Sequence, residues 1–178
     1  MKAEELHVKL AEKVRGDSKY LAELTSANSL GRVQVGLETE DIEANLAEIA
    51  KNNDRYRDIR SIAGPTGKVY FFSETYMTEN YARILARVKA DDPCLTIAET
   101  VREESGTYPR VTSVELFKYG LFKVDREELD NYVARTLELH EDIKLIQSRT
   151  GSVYLYSTRH LTPDRAAFLM KRQERPDN

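Results

Sequence analysis

Residues 58–82 and 142–166 spell nearly the same segment twice. Aligned without gaps at a spacing of 84, they share 10 of 25 residues, including Thr66-Gly67 with Thr150-Gly151 and Tyr70 with Tyr154. A repeat of this length in a chain of 178 residues implies two copies of one small fold rather than a single enzyme-sized core. Each copy is long enough to bury a hydrophobic core without disulfides or metal.

Charge and cysteine content narrow the class further. Apolar residues make up 40% of the chain and charged residues 32%, the balance of an ordinary globular protein. The start, Met1-Lys-Ala-Glu-Glu5, is charged and no long apolar run follows, so neither a signal peptide nor a membrane span is expected. The single cysteine, Cys94, permits no internal disulfide and suits a cytoplasmic protein. Net charge is −3: residues 1–77 hold 11 basic and 13 acidic side chains, and the remainder 16 and 17. Neither half has the cationic surplus of a typical DNA-binding module. Residues 144–175 depart from this balance, with Lys144, Arg149, Arg159, Arg165, Lys171, Arg172 and Arg175 against Asp164 and Glu174.

Hydrophobic spacing then outlines the elements. Leu6, Leu10 and Val14 form one helical stripe, and Ser18 precedes a short second helix with Leu21 and Leu24 that fades into Asn28, Ser29 and Gly31. A third helix opens at Thr39, buries Ile42, Leu46 and Ile49, and ends at Asn52-Asn-Asp54. Tyr56–Ala63 and Lys68–Ser73 are β-rich and joined by Gly64-Pro-Thr-Gly67, which predicts a hairpin. The second half repeats the order. A helix opens at Thr78, Pro93 breaks the chain, and Thr96-Ile-Ala-Glu99 reads as a capping box. Thr112-Ser-Val-Glu115 suggests an extra helical turn stopping at Gly120. Asp125 caps a helix with Leu129, Tyr132, Val133 and Leu137, and a second hairpin spans 142–157. A last helix has Thr162 as N-cap and Pro163 at its first position. Phe168, Leu169 and Met170 of that helix need cover, either from the second module or from a second copy in a homodimer.

Three helices and a hairpin, twice over, resemble the winged-helix fold, a helix-turn-helix variant whose hairpin is the wing. The resemblance implies a mainly α fold with β-hairpins (α+β): two tandem winged-helix modules, residues 1–76 and 77–158, with a C-terminal helix and tail at 159–178.

Candidate chemistry is sparse. Gly64-Pro-Thr-Gly-Lys68 looks like the end of a phosphate-binding loop, but Ile62 and Val69 stand where glycine and Ser or Thr are required, and a strand follows instead of a helix. The second copy, Ser148-Arg-Thr-Gly-Ser152, keeps Thr-Gly and loses the lysine, as expected of a turn. His7, His140, His160 and Cys94 show no metal-ligand spacing, and no nucleophile elbow or dinucleotide glycine pattern is present. A non-enzymatic protein without cofactor is therefore expected.

Two functional readings follow from the resemblance. In the first, placed ahead because duplex DNA is the commonest partner of such folds, the protein is a DNA-binding regulator. Its phosphate contacts would be Lys68, Lys144, Arg149, Arg159, Lys171 and Arg172, on the wings and the C-terminal helix. In the second it is a protein-interaction adaptor in a larger, chromosome-associated complex. The openings of the two third helices, Glu38-Thr-Glu-Asp-Ile-Glu43 and Asp125-Arg-Glu-Glu-Leu-Asp130, favour that one, because carboxylates there repel phosphate.

Overall fold

The structure is a computed structural model, and it describes residues 3–30, 39–51 and 55–174. It is an α+β protein of two compact units, Met1–Lys89 and Ala90–Asn178. Gly31, Glu38, Asn52–Asp54 and Arg175, named above on sequence grounds, lie outside the described residues.

In the first unit, α1 (Ala3–Gly16) runs into a single wide π-type turn, Asp17–Leu21. The expected second helix at Leu21 and Leu24 is absent there. Leu21 is exposed, Leu24 is buried, and Thr25 instead makes a β-bridge to Phe71. Helical structure resumes at residues 27–30, where the sequence pattern had suggested an ending. Next come α2 (Thr39–Lys51) and the strands β1 (Ile59–Ala63) and β2 (Val69–Ser73), paired antiparallel with Ile59 opposite Ser73. Helix α3 (Glu79–Val88) closes the unit, capped by Thr78, whose Oγ1 accepts from the Tyr81 N–H at 3.3 Å.

The alternation of β2 explains why helices are needed on both faces. Phe71 points with Ile59 into a core built by Leu6, Leu10 and Val14 of α1 and Ile42, Leu46 and Ile49 of α2. Tyr70 and Phe72 leave by the opposite face and are also buried. Helix α3 covers that face, burying Ala82, Leu85 and Ala86 and packing against β1. Gly64 marks the close approach: a Cβ there would meet the Tyr70 ring at 3.1 Å and the Ala86 carbonyl at 3.3 Å.

The second unit has the same plan. Helix α4 (Pro93–Thr107) starts one turn earlier than the Thr96 capping box suggested. Asp92 is its N-cap, accepting from the Leu95 N–H at 3.0 Å, and Pro93 occupies the first turn instead of breaking the chain. Strand β3 (Thr112–Ser113) leads into a 3-10 turn, Val114–Lys118. Helix α5 (Leu129–Leu139) and the hairpin β4 (Ile143–Gln147) and β5 (Val153–Ser157) follow, with strand order β3-β5-β4, all antiparallel. Asp125 caps the turn leading into α5, its Oδ1 accepting from the Glu127 N–H at 2.8 Å.

The terminal helix α6 (Pro163–Gln173) completes this unit as α3 completes the first, at the repeat spacing of 84 residues. Thr162 caps it, and Ala166, Leu169 and Met170 are buried with Val111, Tyr156 and Leu161. Burying Leu169 and Met170 contributes about 1.5–3 kcal/mol each. Gln173 locks its end, accepting from the Val111 N–H at 3.0 Å and donating to the Val111 carbonyl at 3.1 Å. Phe168 remains 53% exposed. The unit boundary thus falls after α3, and each repeat ends with its own helix.

Candidate functional site

Equivalent residues of the two units lie 87 positions apart as far as α2 and α5, and 84 apart from the hairpin on. That change of spacing hides a second repeated segment, Leu10-Ala-Glu-Lys-Val-Arg-Gly-Asp-Ser18 and Ile97-Ala-Glu-Thr-Val-Arg-Glu-Glu-Ser105. Folded, the two repeated segments meet. Arg15 donates from Nε to Asp58 Oδ2 at 2.8 Å and from Nη2 to Oδ1 at 2.6 Å. The Ser73 hydroxyl donates to the same carboxylate at 2.7 Å, and the Ser73 N–H donates to Ser18 Oγ at 3.0 Å. The second unit repeats every bond. Arg102 holds Asp142 at 2.9 and 2.5 Å, Ser157 donates to Asp142 at 2.8 Å, and the Ser157 N–H reaches Ser105 at 3.0 Å.

This constellation is a clamp between the first helix and the end of the hairpin. The Arg15 guanidinium, with help from the Ser73 hydroxyl and against the cost of burial, lowers the Asp58 carboxyl to about 2. Arg102 and Ser157 likewise hold Asp142 well below the usual carboxylate range, and Asp142 raises the Arg102 guanidinium in return. Carboxylates so occupied stay ionised and act as anchors, not as proton carriers. Sequence reading missed the clamp because its spacing is broken. The signal was there in Ala-Glu-x-Val-Arg-x-x-Ser, found only when the repeat is allowed two spacings.

The predicted phosphate contacts are scattered by the fold. Lys68 is exposed just after the first hairpin turn, its Nζ 5.5 Å from the Tyr70 ring centre. Lys144 is exposed on β4 and Arg149 on the turn of the second hairpin; Lys171 and Arg172 are exposed on the last turn of α6. Arg159 joins the clamp instead, its Nε 3.1 Å from Asp142 Oδ2. Arg60, another basic residue of the first hairpin, is neutralised by Glu74 at 2.8 and 2.9 Å. The acidic positions are uniformly open: Glu40, Asp41 and Glu43 on α2, and Glu127, Glu128 and Asp130 at the start of α5, are all exposed.

Beside each hairpin tip lies a groove, and the two grooves use equivalent positions. The first, about 340 Å³, is lined by Asn28, Glu43, Thr66, Gly67 and Val69 among others. The second, about 670 Å³, is lined by their counterparts Glu115, Asp130, Thr150, Gly151 and Val153, with Leu137 and Leu145 added. Gly67 and Gly151 sit at the turns with φ of +80° and +89°, the left-handed region that favours glycine. The Gly64-Pro-Thr-Gly-Lys68 segment is therefore a hairpin turn between two strands.

The remaining chemistry-bearing residues are dispersed. His7 Nε2 lies 2.9 Å from Asn45 Oδ1, His140 Nδ1 lies 3.4 Å from Arg102 Nη2, and the His160 ring packs on Gly106. Cys94 is buried with its sulfur 3.7 Å from the Tyr132 carbonyl. Among the described residues no three His, Cys, Asp or Glu side chains gather as metal ligands, and no helix is long and apolar enough to cross a membrane.

The chain is also similar to known sequences. The chain is 32% identical over 123 residues to the uncharacterized protein YdhW of Escherichia coli (strain K12). That alignment covers 68% of this chain and 57% of the relative, so this chain matches little more than half of the relative's length. No solved structure matches it. The family described as the YdhW C-terminal domain matches at residues 4–90 and again at 91–177, each match closing within a residue or so of one structural unit. With two consecutive copies of that domain, the chain belongs to the YdhW C-terminal domain family.

Proposed function

We propose that the protein is a non-enzymatic adaptor of tandem winged-helix type that binds another protein. The winged-helix reading rests on element order: helix, extended contact, helical turn, helix, hairpin, where the extended contact is the Thr25 bridge in the first unit and a short strand in the second. It also rests on the antiparallel order β3-β5-β4, in which the first short strand pairs with the last. The observation that carries the partner class is the row of exposed carboxylates at the start of α2 and α5. A DNA-reading winged helix offers these positions to the major groove. Glu40, Asp41 and Glu43, like Glu127, Glu128 and Asp130, would there face phosphate across a short distance.

DNA binding is the second reading, and one observation favours it. Lys144, Arg149, Lys171 and Arg172 are exposed, and no carboxylate pairs with them among the described residues, so their charge is free for phosphate. Fluorescence anisotropy of labelled duplex DNA across a salt series separates the two. The adaptor reading expects no binding even at low salt. Sub-micromolar affinity that falls steeply with salt, and a slope flattened in the Arg149→Ala, Lys171→Ala double variant, would transfer the function to DNA.

A further inference from the structure

The two units are internal controls for one another, because whatever the fold requires is present in both. At the groove they differ in one direction. Leu145, Val114 and Leu137 of the second unit stand where the first has Ser61, Ala27 and Ala50. Ser61 shows that an exposed leucine at this strand position is not needed to form the hairpin. Leu145 is nevertheless 45% exposed, on the wall of a groove about twice the volume of its counterpart.

The charges at the second groove are as unequal. Lys118 pairs with Glu115 on one side. Asp130, on the facing helix α5, is exposed and has no ion-pair partner among the described residues, leaving a negative charge beside an apolar wall. Apolar area attracts without specifying, and a single carboxylate specifies a cation at its edge.

We infer that this groove, between α5, the 3-10 turn and the second hairpin, is the docking site of the partner. Its occupant is a protein segment that presents a large aliphatic or aromatic side chain beside a lysine or arginine. The apolar side chain packs against Leu137, Leu145 and Val153, and the cation pairs with Asp130. The first groove, about half the volume, keeps a carboxylate in Glu43 but has Lys68 in the place of Ser152 and no leucine wall. The inference rests on the protein-partner reading and deepens it to one groove and one ligand chemistry.

A phage-displayed library of short random peptides, selected on the immobilised full chain, supplies the probe. Labelled copies of the selected peptides are then titrated by anisotropy. The expected peptides share a large apolar residue next to Lys or Arg, and both Leu145→Ser and Asp130→Lys weaken them by at least about tenfold. Leu145→Ser installs the residue type found in the first unit, and an unchanged thermal transition shows that it folds. Selected peptides that bind both variants as they bind the parent, that lack the apolar–basic pair, or that fail to emerge at all overturn the inference. If binding is instead lost only in Glu40→Lys, the groove assignment falls and the protein-partner reading stands. If no peptide emerges and duplex DNA binds with a steep salt dependence, both fall.

Discussion

The clamp of the first unit and the clamp of the second share the same four bonds, whereas the grooves beside their hairpins differ in their walls. Arg15 and Arg102 grip Asp58 and Asp142 through matching pairs of bonds, and the four serines occupy matching places. The hairpin in each unit is otherwise attached to α1 or α4 mainly by non-directional apolar packing. A bidentate ion pair with a hydroxyl on its second oxygen fixes its height and rotation. A groove wall has no such duty. Ser61 became or remained polar while Leu145 is apolar, and the surrounding fold is unchanged. Where two copies agree in detail, folding sets the residue; where they diverge at an exposed site, the fold leaves room for a partner to set it.

Breaking the clamps has the largest expected effect and also tests whether they are equal. The Arg102 and Asp142 side chains are 13% and 12% exposed, against 35% and 17% for Arg15 and Asp58. Asp142→Ala, which takes the bidentate partner from a nearly buried guanidinium and leaves it Glu99, is expected to cost about 3 kcal/mol in urea unfolding of the full chain. Asp58→Ala, whose arginine retains more water, should cost about 2 kcal/mol. Equal losses would mean that exposure does not govern the clamp.

Acid should loosen the same contacts. The Asp58 carboxyl falls from an ordinary 3.8 to about 2 in the folded state, so its contribution is complete above about pH 4 and is lost as pH drops toward 2. Asp142, lowered further, extends that loss to still lower pH. Tracking circular dichroism from pH 5 downward should show the parent losing stability in this window. Asp58→Asn should have a shallower slope there, and an identical slope would remove Asp58 as the titrating group.

The grooves give the next effect. Leu145→Ser should reduce affinity for a bound peptide about tenfold while shifting stability by no more than about 0.5 kcal/mol, as at other exposed positions. The reverse change, Ser61→Leu, tests from the other side whether an apolar wall alone suffices, and no gain is expected because Lys68 still lines that groove. The smallest effects belong to the turns. Gly67→Ala and Gly151→Ala meet no atom within 4 Å, so only their positive φ matters. Each should cost about 1 kcal/mol, and by the same amount in both units.

Much of each unit was visible before any coordinates. Apolar stripes placed α1, α2 and α5, alternation and Thr-Gly placed both hairpins, and Thr78 and Thr162 cap their helices as read. Local patterns succeed there because hydrogen-bonded turns and apolar periodicity act over a few residues. The errors share a cause as well. Leu21 and Leu24 look like a helical pair, yet the Thr25 bridge to Phe71 pulls this stretch into extended pairing. The candidate site was less legible. Arg159 reads as a free cation until Asp142, 17 residues away in sequence, arrives beside it.

What the amino-acid order determined alone is that two copies of one α+β unit are present, because repetition is a property of order itself. It could not say where a copy begins, since a repeated string reads the same from any starting point. Tertiary burial decided that: Ala82, Leu85 and Ala86 cover the hairpin before them, and Ala166, Leu169 and Met170 do the same, so α3 and α6 end their units. It decided the clamp too, whose arginine and aspartate lie about 40 residues apart and meet only when the core sets the hairpin against the first helix. Contacts of that range depend on the packed whole, and no local pattern encodes them.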